Sequence, residues 1–243
     1  MFNRINLIQR FIDRLDAKSY MEIGVFNGYS FLNIKCKRKL GIDPKFLIKS
    51  KEKFKAYFKN PSNFLNEYYT MTSDDFFTTH VKKINSFYPK VIFIDGLHTF
   101  EQTLQDCYNS LNYLAEGGVI ILHDCNPPSA ASSTPALSIP EAEQIWKAKN
   151  NTGWTDEWCG DTWKTIPFLI KNNPELNVSV LNTDYGLGVV SKKRTQKNTN
   201  YTMPNNIDEF KSLSFSELEL DPVKMLNLIQ LNELEGLINL HTK

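Results

Sequence analysis

Two runs of four residues, Val91-Ile92-Phe93-Ile94 and Val119-Ile120-Ile121-Leu122, carry no polar side chain and stop abruptly at Asp95 and at His123-Asp124. A strand that is apolar on both faces must be covered on both, the condition of a central strand in a parallel sheet. Between them Phe100–Leu114 has helical periodicity and is closed by Glu116-Gly117-Gly118. Strand, crossover helix and strand form a βαβ unit, which commits the chain to an α/β fold.

The remaining sequence repeats this alternation. An opening helix around Ile5–Leu15 precedes a strand at Tyr20–Val25, which turns through Gly28 into a helix. Leu40–Ile42 is a second strand, stopped by Asp43-Pro44. Lys45–Phe58 reads as an amphipathic helix with Phe46, Leu47, Phe54 and Phe58 on one side and lysines elsewhere. We expect the aromatic side to pack and the lysines to form a solvated face rather than a nucleic-acid patch. A third strand is expected at Asn66–Met71, followed by a helix capped by Ser73-Asp74-Asp75 and running to about Ile84. Cys125–Pro140 reads as a long loop, followed by a helix near Pro140–Lys149, an aromatic turn at Trp154–Trp163 and a helix at Trp163–Lys171. Val178–Asn182 and Leu187–Ser191 finish the sheet around a turn at Tyr185-Gly186. The expectation is a doubly wound, Rossmann-like, mostly parallel seven-stranded sheet with helices on both faces, occupying 1–194 with a lid or substrate insertion at about 125–162. A linker and C-terminal helical segment would fill 195–243, its Leu226, Ile229, Leu231, Leu234, Leu237 and Ile238 packing onto the domain or forming a homodimer.

Composition restricts the partners. The 243 residues are enough for a full core, and 28 Lys plus Arg against 27 acids leave a net charge of +1. That balance gives no global reason to expect nucleic acid or an anionic membrane. The amino terminus bears charges every few residues and is not read as a secretory leader, and nothing approaches the roughly 18 apolar residues of a membrane span. Cys36, Cys107, Cys125 and Cys159 form no CxxC pair and are expected as reduced thiols in a cytoplasmic protein.

In open α/β sheets ligands bind beyond the carboxyl ends of the strands. Those ends are Glu22 to Gly28, Asp43, Ser73 to Asp75, Asp95 to His98, and His123 to Asn126. Gly24 and Gly28 flank a strand-to-helix turn where missing side chains would admit a cofactor to the backbone. Asp43 follows Gly24 by 19 residues, near the spacing at which an acid reaches a ribose hydroxyl. A dinucleotide needs GxGxxG so that its pyrophosphate can rest on bare amides, and Gly24-Val25-Phe26-Asn27-Gly28 lacks it. S-adenosylmethionine has no phosphate, and Glu22 suits its cationic end.

The strings YMEIGVFNG (Tyr20–Gly28), Gly41-Ile42-Asp43-Pro44, VIFIDGLH (Val91–His98) and GGVIILHD (Gly117–Asp124) together resemble the methyltransferase family related to macrocin and other sugar O-methyltransferases. Trp158-Cys159-Gly160-Asp161-Thr162-Trp163-Lys164 is similar to a segment of its glycan-associated members, and the likeness spans roughly Ser19 to Ser191. It implies that Glu22, Gly24, Gly28 and Asp43 hold the methionine end and ribose of S-adenosylmethionine, and that Ser73 and Asp74 face its adenine, with Asp95 bordering the same site. The layout is also similar to catechol O-methyltransferase, where an acid after this strand binds magnesium and a lysine three residues on is the base. His98 stands at the place of that lysine, which leaves the base open.

Methyl transfer from a sulfonium is an in-line displacement that needs a deprotonated nucleophile held near the methyl group. His98 is the candidate base, with Asp95 and His123 beside it, while Asp95 and Asp124, with His123 or Asn126, would share one divalent cation, Mg²⁺ or another. The bland readings are an Asp95 that only anchors its loop, a His98 that only forms hydrogen bonds, and a packed His123. His80 and His241, in a helix and a tail, are expected on the surface, and Trp154, Trp158 and Trp163 either stack on a sugar or pack in the core. The resulting expectation is an O-methyltransferase for a small hydroxylated acceptor such as a sugar or glycan precursor. The alternatives are a non-catalytic methyltransferase-like binding module and an NAD-linked oxidoreductase.

Overall fold

The computed structural model describes residues 1–193 and 199–242, so the expected boundary between 194 and 195 lies outside the described residues. Among the described residues eight strands form one sheet: β1 (Ser19–Ile23), β2 (Arg38–Ile42), β3 (Glu67–Tyr69), β4 (Val91–Ile94), β5 (Val119–Leu122), β6 (Leu176–Leu181), β7 (Leu187–Lys192) and β8 (Leu228–Ile229). Their order is β3-β2-β1-β4-β5-β7-β6-β8, with β7 alone antiparallel to its neighbours. The sequence reading of seven strands is one short. The two-residue β8, inside the expected helical extension, pairs with β6 at the sheet's edge.

The sheet alternates as a strand period of two requires. Met21, Ile23, Ile92, Ile94, Ile120 and Leu122 enter one core, while Tyr20, Val91, Phe93, Val119 and Ile121 enter another on the opposite face. Helices α1 (Arg4–Arg14), α2 (Tyr29–Asn33) and α3 (Ser50–Lys59) cover the second face. Helix α1 starts where the Asn3 side chain accepts the amides of Ile5 and Asn6, and it buries Leu7, Ile8, Phe11 and Ile12. Helices α4 (Ser73–Thr79), α5 (Val81–Phe87), α6 (Phe100–Tyr113), α7 (Ile139–Ala148) and α8 (Thr165–Asn172) follow in order, and of these α4, α5, α6 and α8 supply the first core.

Four local expectations change. The cap of α4 is Thr72, which accepts the amide of Asp75, and the helix breaks at His80 before α5 begins. The helix expected from Lys45 begins only at Ser50, and it turns its aromatic residues outward: Ala56 is its buried residue, whereas Phe54 is 64% and Phe58 75% exposed. The C-terminal part, read as helical, comprises the short helices Asp208–Lys211, Phe215–Leu220 and Pro222–Leu226, strand β8, and a last helix at Leu234–Thr242. That last helix buries Leu237, Ile238 and His241. His241 is therefore not a surface residue. Its ring nitrogen lies 2.9 Å from Ser191 Oγ, and burial pushes its pKa down to about 3. His80 is half-buried, stacked on Phe76.

Candidate active site

Strand register builds the site. Ile42, Ile23, Ile94 and Leu122 lie in one row across β2, β1, β4 and β5. The residues immediately after them, Asp43, Gly24, Asp95 and His123, therefore leave the sheet side by side. The chain passes from β3 back to the other flank of β1, so strand order reverses between β1 and β4, where ligands of such sheets bind. A cleft of about 820 Å³ opens there, and all four residues line it. Ser73, Asp74, His98 and Asp124 line it as well.

Glu22 and Gly28 do not. Glu22 is fully buried, accepting hydrogen bonds from the Tyr20 hydroxyl and, at 2.9 Å, from Ser30 Oγ, while Ser30 itself reaches the cleft wall. Burial pushes the Glu22 carboxyl up to about 8, against the opposing hydrogen bonds, so it is mainly protonated at neutral pH. The glycines also work differently from the sequence reading. A Cβ on Gly24 (φ +83°) would stand 1.9 Å from the Asp95 carbonyl oxygen, so this glycine lets the ends of β1 and β4 close on each other. Gly28 (φ +79°) packs near Ile48 and Leu32. Asp43 accepts the Phe26 and Lys45 amides, each at 2.7 Å, which fixes its carboxylate at the rim.

At the other side of the cleft, charges converge. Asp95 meets Arg4 Nη1 at 2.9 Å, and His98 Nε2 and His123 Nδ1 at 3.3 Å each. Asp124 lies 3.1 Å from both His98 Nδ1 and His123 Nδ1. Burial opposes charge on Arg4, Asp95, His98 and His123, yet the attraction of opposite charges wins. The neighbouring His123 and His98 hold Asp95 well below the usual carboxylate range, and the carboxylates hold both imidazoles above the usual histidine value. Ligand atoms of Asp95, His98 and Asp124 lie within 4.8 Å of one another, a grouping that takes in His98 in place of the expected His123. Both nitrogens of His123 and Nδ1 of His98 are buried without a geometrically sound hydrogen bond. Asn126 instead donates to Asn182 at 3.1 Å and does not line the cleft.

Several site residues escaped the sequence reading. Arg4, from α1, binds Asp95 and also Asp184, whose Oδ2 is 2.9 Å from Arg4 Nε. The β6–β7 turn brings Asp184 and Tyr185 there because β7 runs antiparallel to β5, so that Cys125 N donates to Gly186 O and Asn126 N to Tyr185 O. Gln102 and Asp106 reach the cleft from α6 beside Ser73 and Asp74, and burial raises the Asp106 carboxyl to about 7. The tryptophans divide: Trp163 is in the core, whereas Trp158 lines the cleft and stacks on His98 at 5.2 Å. The neighbouring Gly160 is forced by the same contact, since a Cβ there would stand 1.9 Å from the His98 carbonyl oxygen. His98 and Asp124 themselves hold positive φ (58° and 59°), a strain that clusters at functional sites.

Residues 21–125 match the model of a family described as a methyltransferase domain. This stretch, somewhat under half of the chain, is similar to a methyltransferase domain. That match runs from within β1 to just past β5 and includes all four residues of the row. Among solved structures, a Staphylococcus aureus protein provisionally assigned as a caffeoyl-CoA O-methyltransferase is 16% identical over 79% of this chain and 85% of its own, at a TM-score of 0.50. The O-methyltransferase TomG from Streptomyces achromogenes, involved in tomaymycin synthesis and solved with SAM, is 12% identical over 77% and 78%, at 0.53. Cofactor-bound Rv0187 from MTB is 12% identical over 76% and 77%, at 0.52. At such identities the likeness is one of fold. No curated protein matches the sequence.

Proposed function

We propose that this methyltransferase domain moves the methyl group of S-adenosylmethionine to a hydroxyl oxygen of a small acceptor of the sugar or glycan-precursor kind, with a divalent cation assisting and His98 as general base. The observation that carries the reading is the row Asp43–Gly24–Asp95–His123. It joins a half of the cleft that offers hydrogen-bond acceptors, Asp43 among them, to a half where carboxylates and imidazoles crowd together.

The cofactor half fits S-adenosylmethionine. A volume of about 820 Å³ is within the range of small-molecule sites. Asp43 would accept from ribose hydroxyls, Ser73 and Asp74 with Gln102 and Asp106 would meet the adenine edge, and Gly24 and Ser30 would border the methionine end. Glu22 acts through Ser30 and Tyr20 rather than by direct charge, because its carboxyl keeps its proton near neutrality. When bound, S-adenosylmethionine supplies an electrophilic methyl group on a sulfonium. The acceptor hydroxyl loses its proton as the new bond forms, and His98 at the cleft wall takes it. Residues 125–162 contribute Leu137, Ile139 and Asp156–Cys159 to the lining, which supports their role as a lid over the acceptor.

The charged half fits a divalent cation, since buried imidazole nitrogens without hydrogen bonds sit beside two carboxylates. Asp95 and Asp124 would hold it, with His123. Such an ion supplies Lewis acidity that lowers the acceptor's pKa, and an imidazole ligand favours Mn²⁺, Fe²⁺ or Zn²⁺ over Mg²⁺. Asp95 and Asp124 lie against the two His98 ring nitrogens and hold its proton, and a cation shared by these carboxylates would offset their charge and leave the ring free to act as a base.

Calorimetry with S-adenosylhomocysteine tests the first half: binding is expected, and Asp43→Ala should weaken it by about tenfold or more, as loss of a charged hydrogen-bond acceptor does. No binding by the wild type would reject the cofactor. For the second half, Asp95→Ala with Asp124→Ala should remove turnover and cation binding together, while His98→Ala removes turnover and spares cation binding. Full turnover in excess chelator rejects the ion, and loss of both properties in His98→Ala makes that residue a ligand instead of the base.

A further inference from the structure

The outward aromatic face of α3 is fixed in place rather than loose. On the inner side, the buried Asn63 donates to Leu32 O at 3.0 Å and to Ala56 O at 3.1 Å, and accepts from the buried ammonium of Lys39. Asn60 donates to Ile34 O at 2.9 Å. This polar anchor holds α3 and the following 3₁₀ turn, Pro61–Leu65, against the domain. At about 100° per residue, Phe54 and Phe58 stand on the side of the helix opposite the buried Ala56.

The outer side is therefore a built apolar surface. Phe54 meets Phe58 edge-on at 4.9 Å, and Tyr57 stacks on Phe64 at 4.3 Å. Phe64 and Leu65 are 68% and 64% exposed. Aromatic and leucine side chains contiguous on a surface mark an interaction site. Its rim is cationic: Lys45, Lys49, Lys51, Lys55 and Lys59 are exposed, and Lys53 lies over the Tyr68 ring at 4.3 Å. Between Pro44 and Leu65 six lysines face one glutamate, a net charge of +5 in a chain whose total is +1. The near-neutral overall charge thus conceals a segregated basic patch.

We propose that the α3–3₁₀ face is a docking surface for an anionic lipid bilayer, with Phe54, Phe58, Phe64 and Leu65 entering the headgroup region and the lysines meeting acidic headgroups. Phenylalanine and leucine inside a lysine rim match an interfacial helix. Single-stranded nucleic acid would instead use a basic groove with rings placed to stack bases, and here Tyr57 and Phe64 already stack on each other. No helix among the described residues is long and apolar enough to cross a membrane, so the attachment is peripheral. The loop leading into α3 is tied to the cleft rim by Leu47 N donating to Phe26 O at 2.8 Å, which holds the docked face and the cleft in a set relation. This inference stands independently of the methyl-transfer reading.

The test is sedimentation of the full chain with vesicles of phosphatidylcholine alone or mixed with phosphatidylserine. Binding to the mixed vesicles only, weakening in salt, is expected. Each of Lys51→Gln, Lys55→Gln and Lys59→Gln should lower partitioning by about fivefold, and Phe54→Ser with Phe58→Ser should abolish it while the thermal midpoint stays within a few degrees. Absence of binding to either vesicle, or binding that survives the double phenylalanine variant, overturns the proposal. So does a lysine-dependent shift of single-stranded RNA, or a phenylalanine-dependent dimer, found without vesicle binding.

Discussion

Replacing Gly24 by alanine separates two explanations of the same residue. If the glycine exists to admit a cofactor, Gly24→Ala should fold normally and lose affinity for S-adenosylhomocysteine. The geometry assigns the main cost to the fold. The new methyl carbon would lie 1.9 Å from Asp95 O and 2.5 Å from Asp95 C, where ordinary contact begins at 3.4 Å, and both are backbone atoms that cannot rotate away. The ends of β1 and β4 must part, breaking the register that aligns Asp95 with Gly24. Left-handed φ alone costs a non-glycine residue about 1–2 kcal/mol, and forced backbone shifts add about 1–3, so Gly24→Ala should lose about 2–5 kcal/mol. Gly28→Ala is the control. It has the same sign of φ, but its new methyl meets the side-chain tips of Ile48 and Leu32 at 3.1 Å, which can yield, so the loss should be about 1–2 kcal/mol. Urea unfolding followed by circular dichroism reads both as midpoint shifts at unchanged slope. Equal losses in the two variants, or a Gly24→Ala within about 0.5 kcal/mol of wild type, the range of an ordinary surface substitution, would refute the reasoning.

Two further outcomes follow from the charges. Glu22 titrates near 4.5 in the unfolded chain and near 8 when folded, so between those values the folded protein retains a proton that the unfolded chain releases, and stability falls as pH rises through that window. Glu22→Gln should flatten the fall, gaining on the order of 3 kcal/mol relative to wild type between about pH 5 and pH 8 in denaturation profiles; parallel profiles would show that Glu22 is already ionised. Arg4→Met should cost about 3 kcal/mol near neutrality by leaving Asp95 and Asp184 without their cation. Because Asp184 is held below its usual value, chiefly by His123 and Arg4 against the effect of burial, this contribution is present above the ordinary aspartate range and lost as pH falls through and below it. A penalty unchanged from about pH 7 to about pH 3 would separate Arg4 from the titration of these carboxylates.

The sequence by itself determined the βαβ architecture and most of the strand ends, because runs such as Val91–Ile94 and Val119–Leu122 can exist only inside a covered sheet and the polar residues that end them must lie at its carboxyl edge. It also carried His98 and Asp124, which lie four residues past β4 and two past β5. Tertiary structure decided the rest, since those facts depend on contacts between residues far apart in the chain. Arg4 joins Asp95 across 91 residues and Asp184 across 180, a partnership that no local spacing encodes. Periodicity gave α3 an apolar side but could not say which side met the domain. Lys39, Asn60 and Asn63 settled that by anchoring the opposite face, and the phenylalanines were left to the solvent. The two glycines look alike in sequence, and only the approach of the Asp95 carbonyl makes one of them a condition of the sheet itself.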